Sequence, residues 1–312
     1  MGLVCTAGRS PEQYADPVDW DDLHPGGFDG NHRLETQDEQ GIGAEVIYPS
    51  LGLVLCSLPD FDFRKACFDA YNRWLLEFVE PDRERLLAIP LLGLRTPEEG
   101  VKEIRAAAEA GFKGVMFSGH AAFEDYDHPS YDPIWEACVG LGLPVSFHIL
   151  TTPSDDGTPA RGHRITQHMV MTRGVQDLIS LLVFGAVFER HPNLRVVCAE
   201  ADAGWVPHFK FRMDHAFDVH RHWNRFEAID RPPSHYVDEN LYFTFQNDFS
   251  LEHAISGLNS ERIMWSNDFP HGDGTYPKSQ ETIDHFKSIL DEADHGPLFG
   301  QNLAKLYRLA AG

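Results

Sequence analysis

Four side chains in this sequence stand out because of the residues around them. His148 lies within an otherwise apolar run, "PVSFHIL". Glu200 and Asp202 close another, "LRVVCAEAD", and Asp268 closes a third, "RIMWSND". An imidazole at such a place suits zinc, iron or manganese. A carboxylate ending a buried strand costs desolvation free energy unless it is paired or bound to a cation. A cation beside Asp268 would offset that cost, and the carboxylate could then also move a proton to or from water. His271, three residues on, is a candidate partner in the same loop. Each residue also has a plainer use: a lone His in a strand is more often packing, and acids favour turns and helix starts.

A long polar loop, "TTPSDDGTPARGHRITQHM" (151–169), follows His148 directly. Its position suits a lid, with Arg161, His163, Arg164 and His168 as candidate carboxylate binders; a surface connection is the competing use. Several motifs are missing. No HExxH occurs and no strand carries an HxH pair, so no complete zinc site is visible. No GxSxG elbow and no GxGxxG turn occur. Lys113 falls at the start of its strand, the wrong end to join the other candidates. The His- and Arg-rich stretch 208–223 reads as a surface helix.

The elements that must position these residues alternate along the chain. Short apolar runs at 44–50, 86–94, 111–119, 143–150, 194–202, 241–248 and 262–268 read as strands, and helical patterns follow near 61–80, 97–110, 131–141, 172–190, 204–222, 250–258 and 278–292. A last helix is expected near 300–310. "TPEE" at 96–99 shows how such a helix starts, with a Thr cap, Pro in the first turn and early acids. Near-continuous apolar strands alternating with helices predict a parallel sheet covered by helices. The candidate residues sit at the C-terminal ends of separate strands, which favours a (β/α)8 barrel, where such ends form the site. Only seven strands are visible. A single domain spanning 1–312 is expected, opened by an irregular segment over 1–27.

Composition narrows the function. The 312 residues carry 26 Lys and Arg against 48 Asp and Glu, a formal net charge of −22, which argues against nucleic-acid binding. With 42% hydrophobic and 24% charged residues the chain can build a large core. No apolar run approaches the ~18 to 20 residues of a membrane span. Five scattered cysteines without a CxxC pair suit reduced thiols, so a cytoplasmic, soluble protein is expected.

"PVSFHIL", "LRVVCAEADAGWVPHFKFRMD", "RIMWSNDFPHGDGTYP" and "GQNLAKLYRL" together resemble the amidohydrolase-2 branch of the amidohydrolase superfamily, which includes aminocarboxymuconate-semialdehyde decarboxylase-like proteins. The resemblance runs from about Pro25 to the end. It implies a distorted (β/α)8 barrel holding one divalent metal, zinc or manganese. The metal is bound by a His pair on the first strand, a His on the fifth and an Asp on the eighth. By that resemblance His148 is the fifth-strand ligand and Asp268 the eighth-strand ligand. Glu200 takes about the place where several decarboxylases carry a catalytic His. Nothing matches the first strand and its metal pair, and His24 and His32 are not that pair, so a barrel short of its first strand and a weakly held metal are expected. The resemblance implies a decarboxylase or hydrolase acting on a small carboxylated substrate, aromatic or ring-opened. Asp268 and Glu200 would be catalytic, and Arg161, His163, Arg164 and His271 would be substrate contacts. A homodimer is a family-level expectation. The alternative is a metal-free, non-catalytic barrel that serves in binding or oligomer formation.

Overall fold

The computed structural model describes residues 4–14, 19–152 and 162–309, with the side chains of residues 164 and 167 outside that description. Strands β1 (Glu45–Ile47), β2 (Leu86–Ala88), β3 (Leu91–Leu92), β4 (Val115–Phe117), β5 (Val145–His148), β6 (Val196–Ala199), β7 (Leu241–Phe245) and β8 (Ile263–Trp265) are all parallel to their neighbours. β1 pairs with β2, and β3 to β8 follow in chain order. Instead of one strand over 86–94 there are two, because Pro90 has no N–H to continue a ladder. The Ile89 amide still bonds the Ile47 carbonyl and the Met116 amide bonds the Pro90 carbonyl, so the wall runs on through the break.

Register and the two-residue period of a strand sort the side chains into two layers. Met116, Ser146, Val197 and Tyr242 lie level with one another on neighbouring strands. Leu87, Leu91, Met116, Val197, Tyr242 and Met264 belong to one buried cluster, the barrel interior. Phe117, Phe147, Cys198 and Phe243, one position over, belong to the larger cluster that packs against the helices. His148 is two residues beyond Ser146 and therefore faces the interior, at the C-terminal end of β5.

The helices form where their caps and apolar spacing require. In Pro97–Glu109 the Thr96 hydroxyl accepts the Glu99 amide at 3.2 Å, and Ile104 and Ala107 are buried. In Phe61–Phe78 the Asp60 carboxylate accepts the Phe63 amide at 3.0 Å, and Phe68, Leu75 and Phe78 turn inward. Two further helices, Ser50–Leu55 and Pro233–Asn240, carry too little periodicity to be expected from the sequence. Ahead of residue 28 the described elements are short 3-10 turns at Pro11–Gln13, Trp20–Asp22 and Pro25–Gly27.

Among the described residues no strand lies between β8 and β1, and the seven expected strands become eight because the run 86–94 is split. A cavity of about 1050 Å³ opens there, walled by Val46 and Tyr48 on one side and Met264 and Trp265 on the other. Among the described residues no helix is long and apolar enough to cross a membrane.

Candidate active site

Two strand ends and a loop build the site. β6 stops at Ala199, and Glu200 and Asp202 both adopt left-handed backbone, φ 57° and 54°. The strand therefore does not reach far enough for the expected shared face; Asp202 is exposed while Glu200 turns into the barrel. The Glu200 amide is held by the Thr244 hydroxyl of β7 at 2.7 Å. β8 likewise stops at Trp265, earlier than the sequence suggests, and Asp268 lies three residues on in a loop with φ 54°. Left-handed backbone at a residue with a side chain costs of order 1–3 kcal/mol and persists only where its surroundings hold it.

The ionisable groups form a chain across the barrel mouth. His148 Nε2 lies 2.9 Å from Glu200 Oε2, and its Nδ1 lies 2.9 Å from the Ile149 carbonyl. A carbonyl and a carboxylate only accept, so both ring nitrogens donate and the ring is cationic here. Burial works against that cation, but the charge and bond of Glu200 outweigh it and raise His148 above its ordinary value. Burial also opposes the Glu200 anion, and the His148 cation holds its carboxyl below the usual range. On the far side His271 Nδ1 lies 2.9 Å from Asp268 Oδ1, and its Nε2 is 3.0 Å from the Ser50 hydroxyl. Burial pushes Asp268 up to about 6 against the pull of His271. Burial opposes the His271 cation as well, but the Asp268 carboxylate carries it to about 9.

Among the described residues, one group of three offers ligand atoms to a single ion: Glu200, Asp268 and His271, all within 4.8 Å of one another. The donor set fits a divalent metal, because two carboxylates and an imidazole are the oxygen and nitrogen ligands such ions take. His148 sits beside this group, joined to it through Glu200. Expected as the fifth-strand ligand, it is instead a ring that donates from both nitrogens and leaves no lone pair for an ion while it is so bonded.

Other expected contacts fall elsewhere. His163 is exposed, accepts the Ile165 amide and does not line the cavity. Arg161 lies outside the described residues, as does the Arg164 side chain. The chain's one HxH spacing, His220–Arg221–His222, lies on the helix Val206–Asn224 with both rings exposed. Two positions apart on a helix, they point to different faces and do not chelate together. Ser50 was not expected in the site, since a Ser opening a helix has no distinctive spacing.

The fold is a barrel wall of parallel strands with a cluster of ionisable groups at and just past the C-terminal ends of β5, β6 and β8. The sequence matches the Amidohydrolase family model over residues 60–309. The decarboxylase orsB of Emericella nidulans is 23% identical over 282 residues, covering 83% of this chain and 78% of the relative. An amidohydrolase of Mycobacterium avium subsp. paratuberculosis K-10 superposes with a TM-score of 0.80 at 21% identity, covering 98% of this chain and 82% of that one. A 5-carboxyvanillate decarboxylase of Novosphingobium aromaticivorans, complexed with manganese and 4-hydroxy-3-methoxy-5-nitrobenzoic acid, superposes at 0.76 with 19% identity, over 96% and 85% of the two chains. The chain belongs to the amidohydrolase family. It is an enzyme of the amidohydrolase-2 type, as the resemblance implied.

Proposed function

We propose that this protein is a metal-dependent carboxy-lyase that removes carbon dioxide from a small hydroxylated aromatic carboxylate. The observation that carries the reading is the convergence of Glu200, Asp268 and His271 within 4.8 Å, with His148 bonded to Glu200. Decarboxylase relatives, and a structural neighbour complexed with manganese and a nitrobenzoic acid, support the choice of reaction.

Glu200, Asp268 and His271 would hold the ion, with His148 beside them. When bound, the metal would supply positive charge toward substrate oxygens. Of the two expected ions, zinc and manganese, the oxygen-rich donor set favours manganese. His148 places a cationic ring at the mouth, which attracts and orients the substrate carboxylate, while His271, as a ligand, would be neutral. His148 Nε2 shares its proton with Glu200 Oε2, and this pair delivers the proton to the ring carbon that bears the carboxylate. As the new C–H bond is made, the C–C bond breaks, its electrons return to the ring and carbon dioxide leaves. The apolar cavity below, walled by Met264 and Trp265, favours the neutral product over the anionic substrate.

The test incubates the manganese-loaded protein with a panel of hydroxybenzoates in deuterium oxide. One deuterium at the vacated ring carbon, with one carbon dioxide released, is the expected result, and Glu200→Gln should slow it at least 100-fold. If the panel yields neither product while carboxylic amides or esters are cleaved, the reading is wrong and the enzyme is a hydrolase.

A further inference from the structure

Asp268 sits in a loop, in backbone that needs outside support, beside the break between β8 and β1. A buried ion pair on the other side of that break reaches both of its neighbours. Arg33, on the helix Gly30–Gln40, and Glu45, the first residue of β1, are bonded to each other with side chains only 6% and 9% exposed. Glu45 Oε1 accepts the Asn267 side-chain amide at 2.8 Å. Arg33 donates to the Phe269 carbonyl at 2.9 Å, and its guanidinium lies 4.5 Å from the centre of the Phe269 ring. A third Arg33 bond goes to the Gly26 carbonyl at 3.2 Å. Asn267 Oδ1 accepts the Phe269 amide at 3.2 Å, and the Asn267 carbonyl accepts the Thr275 amide at 2.9 Å.

We infer that Arg33 and Glu45 are positioning residues for Asp268: held by Asn267 on one side and Phe269 on the other, its carboxylate is aimed at Glu200 and His271 by an ion pair it does not touch. β1 and β8 share no ladder bonds, so side chains take over what main-chain pairing does elsewhere in the wall. The charges make the link selective. Arg33 presents a planar fork of donors, filled by one carboxylate and two carbonyls, and a lysine in its place could not match that set. Fixing a ligand through the groups behind it typically changes metal affinity 10–100-fold. The inference rests on the reading of Asp268 as a metal-site residue.

The experiment measures the manganese dissociation constant of the full chain by calorimetric titration for Glu45→Gln, Arg33→Lys and Asn267→Ala, each alone and combined with Asp268→Asn. Asn267→Ala removes the link while leaving the ion pair intact, so it remains informative if the other two fail to fold. Affinity should fall about 10- to 100-fold in the parent background. In the Asp268→Asn background it should change by less than about twofold, because contacts that act through one residue are not additive. Unchanged affinity in the parent background, or equal losses in both, would overturn the positioning role. If the parent binds no manganese, the metal reading itself fails, and crystal structures of Asn267→Ala and Glu45→Gln then decide the clamp. Loss of the 2.9 Å contact between Asp268 and His271 supports it, and an unmoved Asp268 overturns it.

Discussion

His148 and Glu200 meet at 2.9 Å although 52 positions separate them, the one closing β5 and the other turning inward just past β6. The pair joins the site's deepest imidazole to the carboxylates proposed to hold the ion. Replacing Glu200 by Gln should leave His148 without its counter-charge, so the ring should titrate below its parent value. Histidine resonances followed by NMR across pH 5 to 9 check this, and an unchanged His148 midpoint would remove Glu200 from its assigned place.

Metal-free protein should lose stability as pH rises. His271 has its folded value raised to about 9 from an ordinary 6.5, so its stabilising contribution is complete below about 6.5 and is lost as pH climbs through 9. The shift corresponds to roughly 3 kcal/mol. Asp268, raised to about 6 from 3.8, acts with the same sign at lower pH, its share being lost as pH rises through 6. Melting temperatures after chelator treatment, taken from pH 5 to 10, should fall most between 6.5 and 9. In His271→Asn that upper part of the fall should vanish.

Thr244 supports Glu200 from the neighbouring strand. Thr244→Val keeps the shape but leaves the Glu200 amide without its 2.7 Å acceptor. A loss of about 1–3 kcal/mol in denaturant unfolding is expected. Turnover should drop by more than substrate binding does, since Thr244, although it lines the cavity, holds the backbone of the proposed proton carrier Glu200.

Removing and restoring the ion gives a fourth check. Dialysis against a chelator should abolish turnover, and manganese should restore it. Manganese at 100 times its dissociation constant should stabilise the fold by about 2.7 kcal/mol. Asp268→Asn should bind the ion more weakly and show a smaller shift in the same melting experiment.

Several of these residues can be picked out in the chain alone. His148 interrupts an apolar run, and Asp268 follows one and is itself followed by a Pro and a Gly-rich turn, so both carry a local mark. Their strands are recognisable because a parallel strand buried on both faces reads as an unbroken apolar stretch. Where those strands stop is less visible. β6 and β8 each end before their acid, because the turn into left-handed backbone at Glu200 and the loop through Asn267 depend on bonds to Thr244 and Glu45, far away in sequence.

The order of strands and helices, the barrel wall they build and the marks on His148 and Asp268 follow from local pattern, because burial on a strand or helix face dictates residue type at fixed intervals. The tertiary structure alone decided which groups meet. Ser50 reaches His271 across 221 positions, and Glu45 reaches Asn267 across 222. Neither pairing has a sequence period, since it depends on how β1 and β8 face each other across the open side of the wall. A hydroxyl, an amide and a buried carboxylate look ordinary in the chain and acquire a role only from what the closed fold places within 3 Å of them.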